Sequence, residues 1–267
     1  MSSVSVLVLR AAGINCDDEA IHAFQLAGAD RVDHIHINAL IAGQTRLSAY
    51  GILVLPGGFS YGDDISGGKV LANELQYKLM DDVEAFIRDG KLILGICNGF
   101  QVLVKMGLLP QTRPGRRQQE VTLFYNDSGK FECRWVYLRR NAGSPCVFTR
   151  DMPETIYIPV AHGEGKIVPA SDAVRARLGT EGHIALRYVN PHNGGEDTAD
   201  YPWSPNGSVD GIAGLCDATG RIFGLMPHPE RYTHATHHPR WTRAGGQREP
   251  DGLHIFRNAV RYAKQAL

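Results

Sequence analysis

The chain has 267 residues, and its 28 Lys and Arg balance its 28 Asp and Glu to a formal net charge of zero. Hydrophobic residues make up 43% and charged residues 21%, the balance of an ordinary globular protein long enough to bury a substantial core. Zero net charge argues against a nucleic-acid binder. No apolar run is long enough to span a membrane, so the expectation is a cytoplasmic protein without membrane contact. The cysteines (Cys16, Cys97, Cys133, Cys146 and Cys216) are odd in number and form no C-x-x-C. That fits a reducing compartment and free thiols, not a disulfide framework or a zinc ribbon.

In chain order, residues 4–9 read as a short buried strand. Residues 17–27 have helical spacing, and Gly28 can stop the helix. Residues 32–37 alternate as a strand does, and 52–55 form another buried strand closed by Pro56-Gly57-Gly58. From 66 to 89 the apolar positions Leu71, Leu75, Leu79, Val83, Phe86 and Ile87 recur at three- and four-residue steps, which predicts one long helix. Residues 92–96 are a fully apolar strand, and 98–106 are helical again up to Gly107. Strand alternating with helix predicts an α/β fold, a mostly parallel sheet flanked by helices on both faces. The second half is richer in strands: 131–138, 155–159, 184–189, 209–215 and 222–225. Residues 252–266 predict a closing amphipathic helix. Residues 190–208, rich in Pro, Gly and Asn, read as a loop, so 1–267 is taken as a single domain.

The chemistry concentrates at Cys97. An apolar strand runs straight into this cysteine and a helix starts directly after it, the layout of a nucleophile elbow. Gly95 and Gly99 allow the backbone to turn tightly and approach its neighbours. The amides and dipole of the following helix favour the thiolate. The Asn98 amide can donate to an oxyanion, and Gly58, at the end of the adjacent strand, can present a second amide. A proton shuttle is offered by Met226-Pro-His228-Pro-Glu230. Two prolines hold this segment extended, so His228 and Glu230 point the same way and the carboxylate can orient the imidazole. A lone buried cysteine or histidine is more often packing than catalysis. Here an elbow, a glycine turn and a proline-locked His-x-Glu coincide, which favours catalysis.

Gly95-Ile-Cys97-Asn-Gly99-Phe-Gln101 together with His228-Pro-Glu230 resembles the class I, triad-type glutamine amidotransferases, whose fold is flavodoxin-like. The runs Leu55-Pro-Gly-Gly-Phe-Ser-Tyr-Gly-Asp-Asp64, Asn126-Asp-Ser-Gly-Lys-Phe-Glu-Cys-Arg-Trp-Val136, Pro159-Val-Ala-His-Gly-Glu-Gly165 and Ser204-Pro-Asn-Gly-Ser208 are similar to the glutaminase components of phosphoribosylformylglycinamidine synthases. The likeness covers nearly the whole chain. It implies hydrolysis of L-glutamine through a thioester on Cys97, with Gln101 and His162 at the substrate. It implies ammonia passed internally to a large synthetase subunit that uses ATP and Mg, within an assembly that can include a small third subunit, in purine biosynthesis. No cofactor or metal is implied for this chain itself. Position 14 departs from the pattern, with Ile where a small hydroxyl residue is commoner. The segment 232–248, rich in His, Arg and Trp, is similar to the glutaminase end of the large single-chain form.

The residues also admit a glutaminase serving another synthetase, a cysteine hydrolase or peptidase of related fold, and a non-enzymatic docking subunit. Asn15 and Asp17 read as helix-capping residues. Asp63 and Asp64 read as solvated acids, or as contacts of the partner subunit or of a loop amide, and His162 and Glu164 as a polar turn. The remaining cysteines read as packing. His34 and His36 read as polar residues on one face of a strand. His234, His237 and His238 lack the Cys or acid that would complete a metal set. Arg113, Arg116 and Arg117 read as a solvated loop, with a docking patch for an acidic partner as the alternative.

Overall fold

A computed structural model describes residues 3–113, 115, 117–243 and 249–267; Arg116 lies outside them. The first half alternates as its periodicity predicts. Strands β1 (Ser5–Arg10), β2 (Arg31–His36), β3 (Ile52–Leu55) and β4 (Leu92–Ile96) are interleaved with α1 (Asp17–Leu26), α2 (Ile37–Ile41), α3 (Lys69–Lys78), α4 (Met80–Arg88) and α5 (Asn98–Lys105). The second half adds β5 (Val121–Tyr125), β6 (Glu132–Arg140), β7 (Thr155–His162), β8 (Glu164–Pro169), α6 (Asp172–Thr180), β9 (Ile184–Tyr188), β10 (Ile212–Cys216), β11 (Ile222–Leu225) and α7 (Leu253–Ala266).

Among the described residues, nine strands form one sheet in the order β2-β1-β3-β4-β11-β10-β9-β6-β7. The segment from β2 to β11 is parallel, and the remaining pairings are antiparallel. Strands β3 and β4 are buried at every position, as expected where helices cover both faces. Helix α5 packs over β3, β4 and β11 with α3 against it, while α1 packs against β1 and β2 and α7 packs against α1. Phe24 of α1 meets Phe256 of α7 edge-on at 5.0 Å. A separate antiparallel ribbon pairs β5 with β8.

Two predicted elements differ from the structure. The helical stretch 66–89 is two helices. Leu79 leaves helical geometry (φ −134°, ψ 7°) while its side chain stays buried, and α4 restarts with Asp81 and Asp82 in its first turn, where the helix dipole favours acids. The polar turn at 162–164 is the short link between two strands, His162 closing β7 and Glu164 opening β8. Strands β5 and β8 and helices α2 and α6 were absent from the sequence reading, and residue 37, expected to end a strand, opens α2. The signal for α6 was present in Ser171, whose side chain accepts the Val174 N–H and caps the helix.

Helix α5 can begin directly after β4 because three side chains are missing where it crosses the sheet. Gly95 in β4 lies level with Leu55 in β3 and Gly224 in β11. A Cβ on Gly99 would overlap the Leu55 carbonyl, one on Gly95 would lie 2.7 Å from the Gly99 oxygen, and one on Gly224 would overlap the Phe100 ring. The helix start is therefore in backbone contact with the sheet. We expect Gly99→Ala to lower unfolding stability by about 3 kcal/mol or more, since a backbone carbonyl cannot yield as a flexible side chain does. Urea denaturation at neutral pH reads this directly; a loss below about 1 kcal/mol would mean that α5 can lift off the sheet.

Candidate active site

Cys97 occupies the turn between β4 and α5 with φ 51° and ψ −105°, a conformation that L residues seldom adopt. Its N–H is tied to Leu225 O at 2.8 Å and its carbonyl accepts the Gln101 N–H, so the strand before it and the helix after it hold the strain in place. The side chain is nearly buried, with Sγ 3.7 Å from Ala161 O, and it lines a cavity of about 220 Å³. Gly58, Gln101, His162 and Glu164 share that cavity, and Phe59, Tyr125 and Phe131 stand at its exposed rim.

His228 lies just beyond β11. Its N–H donates to Pro159 O at 2.8 Å, which seats this segment against β7. Its Nδ1 is 2.5 Å from Glu230 Oε1, both side chains are buried, and Nε2 makes no hydrogen bond among the described residues. A Cβ on Gly57 would lie 2.8 Å from His228 Cε1 and 3.5 Å from Cys97 Cβ. The imidazole and the cysteine thus face each other across one methyl-sized gap, kept open by glycine. Burial opposes a charge on His228. The Glu230 carboxylate and the Cys97 and Cys16 sulfurs outweigh it and hold the imidazole well above its ordinary pKa.

The glycine turn is built for a free amide. Ile14 and Gly58 form an antiparallel bridge in which Phe59 N–H donates to Gly13 O and Asn15 N–H to Gly57 O. In that pattern the Gly58 N–H has no partner on the opposing chain. Gly58 adopts φ 142°, and a Cβ there would press on Gly13 O at 2.7 Å. Ile14 therefore contributes its backbone to the bridge. The Asn98 N–H opens α5, where first-turn amides have no intrahelical acceptor.

The Asn98 side chain has a role the sequence did not indicate. Its Oδ1 accepts Ser60 N–H at 3.1 Å, and its Nδ2 donates to Asp63 Oδ1 at 3.0 Å and to Gln101 Oε1 at 2.9 Å. One buried amide thus locks the loop after Gly58 onto the nucleophile helix. Asp63 also accepts Gly68 N–H, the loop-amide role foreseen for it, and burial raises its pKa. Gln101 is pinned further by donating to Glu164 O at 2.7 Å.

His162 is buried, and its tautomer follows from its neighbours. Asn126 Nδ2 donates to Lys130 O and His162 O, so Asn126 Oδ1 must accept, and His162 Nδ1 carries the proton at 3.0 Å from it. Nε2, which has no hydrogen-bond partner among the described residues, is then a buried acceptor on a residue lining the cavity. Desolvation lowers this histidine to about 3, and the charge on His228 adds to the effect.

Other sequence readings change. The N-cap of α1 is Cys16, with no side-chain capping bond; Asp17 instead meets His34 Nε2 at 2.6 Å, and Asn15 Oδ1 accepts from the Cys16 thiol at 3.3 Å. His36 caps α2 through Nδ1. Cys16 is not isolated packing: Arg231 donates to its sulfur at 3.1 Å. His234 pairs with His22 at 3.0 Å on the exterior, away from the cavity lining. Arg117 is paired with Glu84 at 3.0 Å.

Residues 3–263 match the family described as CobB/CobQ-like glutamine amidotransferase domain. The chain belongs to this family. It is 47% identical to phosphoribosylformylglycinamidine synthase subunit PurQ of Dehalococcoides mccartyi, over 99% of this chain and all of that protein. It is 45% identical to the same subunit of Methanococcus maripaludis over 96% of each. Among solved structures, PurLQS from Thermotoga maritima matches with a TM-score of 0.71 and 33% identity, covering 98% of this chain and 99% of that one. Within the family, the chain belongs with the glutaminase subunits of phosphoribosylformylglycinamidine synthase, as the motifs at 55–64 and 159–165 led us to expect.

Buried neutral His162 makes stability depend on pH. Folding keeps it unprotonated, while the unfolded chain takes up a proton below about pH 6.5. Its contribution is therefore complete above that value and lost as pH falls toward about 3. Between pH 8 and pH 5 the loss from this residue is about 2 kcal/mol. His162→Gln should remove that part of the slope in urea denaturation at the two pH values. The difference isolates His162 from His228, whose raised pKa acts in the opposite sense. An unchanged slope would place the proton elsewhere.

Proposed function

We propose that Cys97, His228 and Glu230 act as a triad that hydrolyses L-glutamine, and that the ammonia is delivered to an ATP-dependent synthetase subunit. The observation that carries this reading is the strained Cys97 turn facing a buried His228–Glu230 pair across a glycine-lined gap, at a cavity sized for a small amino acid.

Glu230 holds Nδ1–H, which leaves Nε2 to take the thiol proton. Cys97 attacks the side-chain amide carbonyl of glutamine. The Gly58 and Asn98 amides stabilise the oxyanion. His228 protonates the departing ammonia and a thioester remains on Cys97. His228 then activates water, which releases glutamate and restores the thiol. A raised imidazole pKa suits the second role, since His228 must hold a proton until the leaving group needs it. Gln101 and the His162 Nε2 acceptor contact the rest of the substrate, with Gln101 held rigid by Asn98 and Glu164.

The likeness to PurLQS from Thermotoga maritima supports assembly with a large synthetase subunit and a small third subunit. Phe59, Tyr125 and Phe131, exposed at 46%, 61% and 52%, give the cavity mouth an apolar rim suited to such a partner. ATP and Mg act on the synthetase subunit, and this chain needs no cofactor of its own. The site of action is the cytoplasm; among the described residues no helix is long and apolar enough to cross a membrane.

In the assembled synthase, Cys97→Ala should reduce glutamine-dependent turnover by roughly 10⁴-fold or more, while turnover on added ammonia stays within about threefold of wild type. Glutamine hydrolysis that survives the alanine substitution would sink the assignment. Asn98→Ala should lower glutamine-dependent kcat and leave the ammonia-dependent rate in place, because it frees the loop that presents Gly58 without altering the thiol. Steady-state assays with the two nitrogen sources separate these outcomes.

A further inference from the structure

We propose that Cys16 and Arg231 are positioning residues for the glutaminase site: the Arg231 guanidinium grips the Cys16 sulfur, and that sulfur braces the His228–Glu230 pair. The proposal rests on the triad reading above.

Four observations converge. Cys16 is only 1% exposed and, although it precedes α1, its side chain makes no capping bond, so the sulfur is free for another role. Arg231 Nη2 donates to that sulfur at 3.1 Å, while the thiol contacts Asn15 Oδ1 at 3.3 Å. Cys16 Sγ, a His228 ring nitrogen and a Glu230 carboxylate oxygen all lie within 4.8 Å of one another. The gap at Gly57 that separates His228 from Cys97 is also bordered by Cys16 Sγ, 3.3 Å from where a Cβ would stand.

The backbone ties complete the arrangement. Cys16 N–H donates to Gly57 O at 3.2 Å, and Arg231 N–H donates to His228 O at 3.3 Å. The sulfur–guanidinium contact therefore joins the oxyanion turn to the histidine turn. A reader of side chains alone would see three metal-ligating types together. Arg231 on the sulfur and Glu230 on Nδ1 already engage two of those donor atoms, so the set works as a brace within the protein.

Charge supplies the reason for an arginine. Once the thiol proton has passed to His228 in the proposed reaction, positive charge on the imidazole faces negative charge on Cys97 and Glu230 in a buried site, and among the described residues Glu230 Oε2 has no hydrogen bond. Arg231 brings the balancing cation next to them. The groups facing His228 are Glu230 and Arg231 from its own segment, Cys97 from the nucleophile turn, Cys16 from the start of α1 and neutral His162 from the end of β7.

The test uses the assembled synthase and measures glutamine-dependent kcat and KM across pH for Cys16→Ala, Cys16→Ser, Arg231→Met and Arg231→Lys. Ammonia-dependent turnover, which bypasses this site, reports that each variant is folded and assembled. Cys16→Ala and Arg231→Met should lower kcat roughly 10- to 100-fold with KM within about twofold, the scale of a misplaced catalytic group. In Cys16→Ala the alkaline limb of the profile should move to lower pH, because the imidazolium loses a supporting sulfur. Serine and lysine, which keep the acceptor and the cation, should recover most of the rate. Wild-type kcat and pH profile in Cys16→Ala would overturn the proposal. So would a lower rate with an unmoved profile and no recovery by serine, which is the signature of packing alone. Equal glutamine turnover by wild type and Cys97→Ala would instead overturn the triad reading.

Discussion

The start of α5 touches the end of β3 backbone to backbone, and the site is arranged around that contact. With no side chain on Gly99, the helix can sit against Leu55 O, and Cys97 is forced into its strained turn. A helix set further from the sheet would let Cys97 relax to an ordinary conformation and aim its sulfur elsewhere. The same approach brings the Asn98 side chain within reach of Ser60 and Asp63, so the loop that carries Gly58 is held by the helix that carries the nucleophile. Helix placement, cysteine orientation and oxyanion geometry are one constraint seen from three sides.

The two buried histidines illustrate how local wiring decides charge. His162 and His228 are close enough to influence each other, and both are shut away from solvent. His162 faces an amide oxygen and stays neutral. His228 faces a carboxylate and two sulfurs and is pushed toward the cation. The neutral neighbour avoids a second positive charge beside His228, which would oppose protonation there. Asn126, which forces the His162 tautomer, therefore contributes to the electrostatics of a ring it does not touch.

Half of the large sheet follows the parallel α/β logic, and the antiparallel half brings the walls of the site. Strand β7 supplies Pro159 to seat His228 and Ala161 to contact Cys97, and β8 opens with Glu164, whose carbonyl holds Gln101. The strand-rich second half is part of the active site, and the apolar rim made by Phe59, Tyr125 and Phe131 draws on both halves of the chain.

The sequence by itself determined the alternation of β1 through α5, the elbow at Cys97, the pairing of His228 with Glu230 and the glycine turn at Gly58. Each depends on local backbone preference or on residues within a few positions of one another, where periodicity and turn chemistry act. The motifs also carried the family. What only the tertiary structure decided involves partners far apart in the chain. Asn98 as the lock of the 60–63 loop, Asn126 as the setter of the His162 proton, and Cys16 beside Arg231 across 215 positions have no local signal, because each is defined by what the fold brings opposite it. The break at Leu79 belongs with them. The apolar spacing continues through it, so periodicity carries no sign of the break.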